Sequence, residues 1–314
     1  MVELDVVDIG FKLFGVIILV IILLFFLTWS GIVRCGDIPY WCDVYETVMG
    51  SPRVLIVHGD SGLGNPDELK SLLTDPTKVG VNAVDVIHLD RVSSGNLQRY
   101  KLVIVENAKK MSIDQLSMFI DYVQIGGGRL IWVGDAGTER GDDELNESID
   151  VNDDRLKLDN PWARARETQT EYVVLNFDEF LGLKYVGNYC AEIMCAEENF
   201  SPGIIMTEVT GSHFLIYGLT PALELKINPQ RDFAIVSQLS NISNSNIVLS
   251  LDQGSLKQGK EKQFQRHLPI IATSGLGEKI AYYAYPLEYY CKDNNTPNAC
   301  VLLLKQMFYG MLGK

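Results

Sequence analysis

The chain has 314 residues, 40 acidic against 27 basic side chains and a net charge of -13. A surface this acidic repels phosphate backbones, so nucleic acid is excluded as an expected partner. The length beyond the first fifty residues suffices for one large domain with a substantial core.

Between Lys12 and Arg34 lie 21 residues without a charge, and nearly all of those from Leu13 to Leu27 are Leu, Ile, Val or Phe. At about 1.5 Å per residue such a run spans roughly 30 Å, the thickness of a bilayer's hydrocarbon core. The pattern predicts a transmembrane helix over 13–33 behind a short flank, 1–12, with the lipid bilayer as its partner. A cleaved signal peptide fits less well, because the leader is acidic at Glu3, Asp5 and Asp8 and no small-residue cleavage site follows. Arg34, where a small residue belongs, argues against Cys35 as a lipoprotein cysteine. Residues 34–51 read as a juxtamembrane neck carrying Tyr40 and Trp41.

All six cysteines follow this helix and fall into three local pairs, Cys35 with Cys42, Cys190 with Cys195, and Cys291 with Cys300. An even count on one side of a membrane suits disulfides in an oxidising compartment, with ordinary buried thiols as the alternative. Sequons at Asn146, Asn199, Asn241 and Asn294 fit an external face. The expectation is a single-pass protein with a cytoplasmic N-terminus and an extracytoplasmic C-terminal domain. The cysteine spacings do not resemble the Cys-x-x-Cys pairs of zinc sites, and no metal or cofactor is expected.

A domain over 52–314 follows. Short apolar runs at Val54–Val57, Ala83–Leu89, Leu102–Val105 and Leu130–Val133 alternate with helical patterns at Pro66–Leu73 and Ile113–Val123, the second capped by Ser112 and closed by Gly126-Gly127-Gly128. Continuous apolar strands alternating with amphipathic helices predict an α/β fold with a mostly parallel, doubly wound, flavodoxin-like sheet. Residues 138–171 are polar and break this rhythm as an insertion or long loop. Phe177–Leu183 reads as a short helix, further strands follow at Phe233–Leu239, Ile247–Leu251, Pro269–Ala272 and Lys279–Tyr285, and Ala299–Met311 reads as a closing helix.

Three segments, in order, resemble the class I glutamine amidotransferase-like superfamily. The unit Gln115–Val123, Gly126-Gly127-Gly128 and Arg129–Val133 is similar to that family's helix, glycine triplet, strand and elbow. Gly211-Ser212-His213-Phe214-Leu215-Ile216-Tyr217-Gly218-Leu219 resembles its His-Pro segment, with Phe214 in place of Pro. Pro269–Ala272 followed by Gly277–Pro286 is similar to its last paired strands. The resemblance implies the fold, and it argues against the amidase reaction: the nucleophilic Cys of that family belongs at the turn here written Gly134-Asp135-Ala136-Gly137, which has neither thiol nor hydroxyl.

The remaining candidates for chemistry are polar residues at strand ends, where ligands of open α/β sheets collect. They are His58 and Asp60 after the first strand, Glu106 after the third and Asp135 after the fourth. His58 or Asp60 among Gly59, Gly62 and Gly64 could hold a phosphate or metal, although the glycine order departs from the dinucleotide fingerprint and a structural loop is the simpler reading. Asp135 could serve as a nucleophile or base, or only as a turn former. His213 reads as the brace of a turn. The expected function is therefore a non-catalytic domain that binds a partner protein or small ligand in a membrane or envelope assembly. The alternatives are an envelope hydrolase using the strand-end residues and a structural subunit of a membrane complex.

Overall fold

The computed structural model describes residues 6–29, 33, 38, 41–50, 52–141, 160–167, 172–190, 204–207, 213–219, 225–226, 231–239, 245–252, 267–293 and 297–313. Two compact units divide the chain: Met1–Ser51 with Leu312–Lys314, and Pro52–Met311.

The first unit holds the helices α1 (Val6–Trp29) and α2 (Trp41–Met49). The Trp41 indole donates to the Thr28 hydroxyl at 2.8 Å, and Phe25 packs edge-on against Trp41 and face-on against Tyr45. The transmembrane helix expected over 13–33 is corrected here: among the described residues no helix is long and apolar enough to cross a membrane. The expected span reaches four residues past the end of α1. α1 instead begins at Val6 and takes in Asp8 and Lys12 ahead of the apolar run. The apolar side chains of α1, Leu13, Phe14, Leu19 and Ile22 among them, are exposed. The single-pass topology, with a cytoplasmic N-terminus and an extracytoplasmic domain, rested on that span and is withdrawn with it.

The second unit is a mixed α/β fold. In chain order its elements are β1 (Val54–His58), α3 (Pro66–Thr74), β2 (Val84–His88), α4 (Ser94–Leu97), β3 (Leu102–Val105), β4 (Lys110–Met111), α5 (Ile113–Gln124), β5 (Arg129–Val133), β6 (Glu139–Arg140), β7 (Ala163–Glu167), β8 (Tyr172–Asn176), α6 (Phe177–Leu181), β9 (Leu183–Asn188), β10 (Ile204–Thr207), β11 (Leu225–Lys226), β12 (Ala234–Gln238), β13 (Asn246–Asp252), β14 (His267–Ser274), β15 (Ile280–Tyr283), α7 (Leu287–Asp293) and α8 (Pro297–Lys305). A nine-stranded sheet runs β11-β10-β13-β14-β15-β5-β3-β1-β2. Its block β15-β5-β3-β1-β2 is parallel, and β14, β13, β10 and β11 extend it antiparallel.

The parallel block has the composition such strands require. β1 and β3 are apolar and buried over Val54–Val57 and Leu102–Val105, as strands covered on both faces must be. The helices between them carry local start signals. Asn65 caps α3, with Pro66 in the first turn, and Ser112 and Gln115 close a reciprocal capping box on α5. Leu116, Phe119 and Val123 form the buried stripe of α5, and Phe119 meets Trp132 of β5 edge-on.

Within the polar stretch 138–171, residues 142–159 and 168–171 lie outside the described residues, while part of 160–165 packs inward. Asn160, Trp162 and Arg164 are buried, and β7 pairs with β8 as an antiparallel ribbon. The indoles of Trp132 and Trp162 both donate to the Ala136 carbonyl at 2.9 Å, which ties this ribbon to the turn after β5. The Arg164 guanidinium donates to four backbone carbonyls, Pro161 at 3.1 Å, Gly137 at 2.6 Å, Glu139 at 2.9 Å, and Met111, the bonds to Gly137 and Met111 being buried.

A disulfide joins Cys291 on α7 to Cys300 on α8, and Cys190 is also disulfide-bonded. Bonded cysteines are compatible with an oxidising compartment. Cys35, Cys195, the Cys42 side chain and the four sequon asparagines lie outside the described residues.

Candidate functional site

The carboxyl ends of β1, β3, β5 and β15 lie side by side, and acids follow three of them: Glu106 after β3, Asp135 after β5, and Glu288 at the start of α7 after β15. The chain reverses direction across the sheet between β1 and β3, and a crevice opens at this point in related topologies. Here it is closed by the backbone. The Gly59 amide donates to the Asn107 carbonyl at 2.9 Å, Asn107 to Leu63 at 2.7 Å, and Lys109 to Ser61 at 2.7 Å.

The segment after β1 then crosses over the acids, and of three successive amides two end on acids and one on a tyrosine hydroxyl. Leu63 N–H donates to Asp135 Oδ1 at 2.7 Å, Gly64 N–H to the Tyr289 hydroxyl at 3.2 Å, and Asn65 N–H to Glu288 Oε1 at 2.8 Å. This close approach is why Gly62 and Gly64 stand here, with φ of +128° and +118°. A Cβ on Gly64 would come within 2.9 Å of Glu106 Cβ and Oε2.

The acids differ in how they are satisfied. Asp135 is fully occupied: its second oxygen accepts from the Asn188 side-chain amide at 3.0 Å, and Asn188 is itself held by the Tyr185 hydroxyl at 2.8 Å. Glu106 has no exposed surface, and neither of its carboxyl oxygens has a hydrogen-bond partner. Loss of hydration, reinforced by the neighbouring Glu288, pushes its carboxyl well above the ordinary range. Burial likewise raises Glu288 to about 7, against the opposing pull of the Asn65 amide. Glu288 Oε2 is also without a partner. At the margin of the cluster Asp232 is raised by burial even though it accepts from the Cys190 and Phe233 amides.

His58 and Asp60 belong to a different place. The His58 ring contacts the His88 ring edge-on at 5.2 Å, and His88 lies between Asp60 at 3.2 Å and Asp90 at 3.4 Å. Asp60, Ser61, His88, Asp90, Lys110, Ser112 and Gln115 line an open groove of about 330 Å³. The four strand-end residues singled out in the sequence therefore separate into two pairs, Asp60 lining an open groove with His58 behind its His88 wall, and Glu106 and Asp135 under the Ser61–Asn65 segment. Among the described residues no group of three or more His, Cys, Asp or Glu could hold a metal ion. His213 braces its turn, accepting from the Leu215 amide at 3.2 Å and pairing with Glu278 at 3.1 Å.

Glu288 and Tyr289 escape a reading by sequence pattern. The only sequence signal for them is position, directly after a strand whose place beside β5 comes from the tertiary fold.

No family model matches the chain, and no curated protein matches it. Solved structures do. A ThuA-like protein from Bacteroides uniformis aligns with a TM-score of 0.52 at 13% identity, covering 82% of this chain and 91% of its own. A ThuA-like protein from Parabacteroides merdae aligns at 0.44 and 15%, covering 84% and 91%. The cold-adapted beta-galactosidase from Rahnella aligns at 0.49 and 14%, covering 86% of this chain but 33% of the enzyme. At 13% identity the first of these likenesses, to a ThuA-like protein, concerns the fold alone.

Proposed function

We propose that the domain over 52–314 is a binding module on an amidotransferase-like frame, one that recognises a polar ligand or a partner's polar side chains without a catalytic step. The observation that carries this reading is the separation of the strand-end residues. Catalysis by general acid and base needs side chains within hydrogen-bond reach of one substrate and of one another. Asp135 spends both oxygens on structural donors, and Glu106 lies out of contact with solvent. The groove beside β1 and β2 offers imidazole, carboxylate, ammonium, hydroxyl and amide groups, which suit recognition by hydrogen bonds and charge.

The reading is tested with p-nitrophenyl acetate, p-nitrophenyl β-galactoside and glutamine, offered to the full chain and to its Asp60→Asn, Glu106→Gln and Asp135→Asn variants. Wild type is expected to match the protein-free rate with all three substrates. Turnover that scales with protein and is abolished in any one variant would replace the binding reading with a hydrolase.

A further inference from the structure

We infer that Ser61–Asn65 is a strap that keeps a three-carboxylate site covered in acid and lifts from it as the solution turns alkaline. The inference stands apart from the reading of the groove, since it concerns the buried face of the segment and needs no ligand.

The strap is attached to the acids by its backbone. Its consecutive amides at Leu63, Gly64 and Asn65 end on Asp135, Tyr289 and Glu288, and Gly64 rests directly on the Glu106 side chain. No side chain of the strap supplies an opposite charge to the acids. Beneath it, three carboxyl oxygens, both of Glu106 and Oε2 of Glu288, have no hydrogen-bond partner. Two neighbouring carboxyls in a dry interior are tolerated while they keep their protons; ionising both there meets desolvation and like-charge repulsion together.

The surrounding groups do not reverse this balance. Glu68, on α3, adds to the repulsion at Glu288 and is itself partly drawn off by Lys292 at 3.6 Å. Arg231 and the Asn65 amide favour the ionised form, yet burial outweighs them, since the Glu288 carboxyl remains raised to about 7. Arg231 also sits over the Tyr289 ring, 4.6 Å from its centre. The Tyr289 hydroxyl, raised by burial above its ordinary range, stays neutral through this interval. As the pair loses its protons, admitting water relieves both penalties. The strap is the element resting on the pair; its carbonyls at Ser61 and Leu63 accept from Lys109 and Asn107, but it lies outside the sheet, whereas β3 and β5 are locked into the sheet on both sides.

The test is amide hydrogen exchange on the full chain from pH 5 to pH 9, corrected for the intrinsic pH dependence of exchange. Protection at Leu63, Gly64 and Asn65 is expected to fall by up to tenfold per pH unit above about pH 7, with Val103, Val105 and Ile131 unchanged. The double variant Glu106→Gln with Glu288→Gln should remove the slope. Constant strap protection across the range overturns the inference, and so does a parallel fall in strap and strands, which would mean whole-domain unfolding. Should the double variant not fold, the wild-type profile decides by itself.

Discussion

Glu288 is a pH liability of the folded chain. Its carboxyl is raised from 4.5 to about 7 by burial. Below about pH 4.5 the folded and unfolded chains both hold this proton, so the group costs folding nothing. Between about 4.5 and 7 the unfolded chain releases it first, and stability is lost as pH rises through the folded value. A shift of this size corresponds to about 3 kcal/mol at most. Urea unfolding at pH 4.5 and pH 7.5 should show Glu288→Gln gaining about that much relative to wild type across the interval. A wild-type-minus-variant difference independent of pH would refute the assignment. Asp135 illustrates the opposite condition: the same residue class, one strand away, has every oxygen occupied by a structural donor.

The turn after β5 depends on a neighbouring element for its support. Gly134–Gly137 is held from one side by the strap through Leu63 and from the other by the ribbon of β7 and β8 through Trp162 and Arg164. Arg164 is almost wholly buried, and the Met111 and Gly137 carbonyls it serves would be left dry without it. Arg164→Met keeps the aliphatic stem and removes the donors, and it is expected to cost about 3 kcal/mol or more in urea unfolding, by analogy with losing one partner of a buried charged network. A loss under about 1 kcal/mol would mean that water replaces the guanidinium. The disulfide between α7 and α8 acts on the same neighbourhood from a third direction, since it staples the helix that carries Glu288 and Tyr289.

At the scale of the whole chain, the division at Pro52 implies that the second unit holds its own core. A fragment comprising 52–314 is expected to unfold in one cooperative transition by far-UV and near-UV circular dichroism, with the urea midpoint of that unit in the full chain. Loss of near-UV signal in the fragment would show that the first unit is required for packing. The apolar run at the N-terminus shows the limit of hydropathy as a guide. Composition alone predicts a span from 13 to 33, but the extent of a helix is set by where its hydrogen-bond ladder ends, and that end is Trp29.

The parallel strands, the capped helix α5 and the strand-end positions of His58, Asp60, Glu106 and Asp135 were legible in the sequence, because each follows from local signals: apolar runs, a Ser-x-x-Gln cap, glycines after a helix. The pairing of Cys291 with Cys300 was legible for the same reason, the two lying close in the chain. Which acids share an environment was decided only by the tertiary structure. Glu106 and Glu288 are separated by most of the domain and meet because β15 inserts beside β5, a long-range pairing that no local pattern encodes. The cover over them was equally hidden, since it is made of backbone amides, and every residue but proline has one. Sequence determined the strands and helices of the parallel block and where their ends carry charge, and the tertiary fold decided which of those ends are open to solvent and which are sealed.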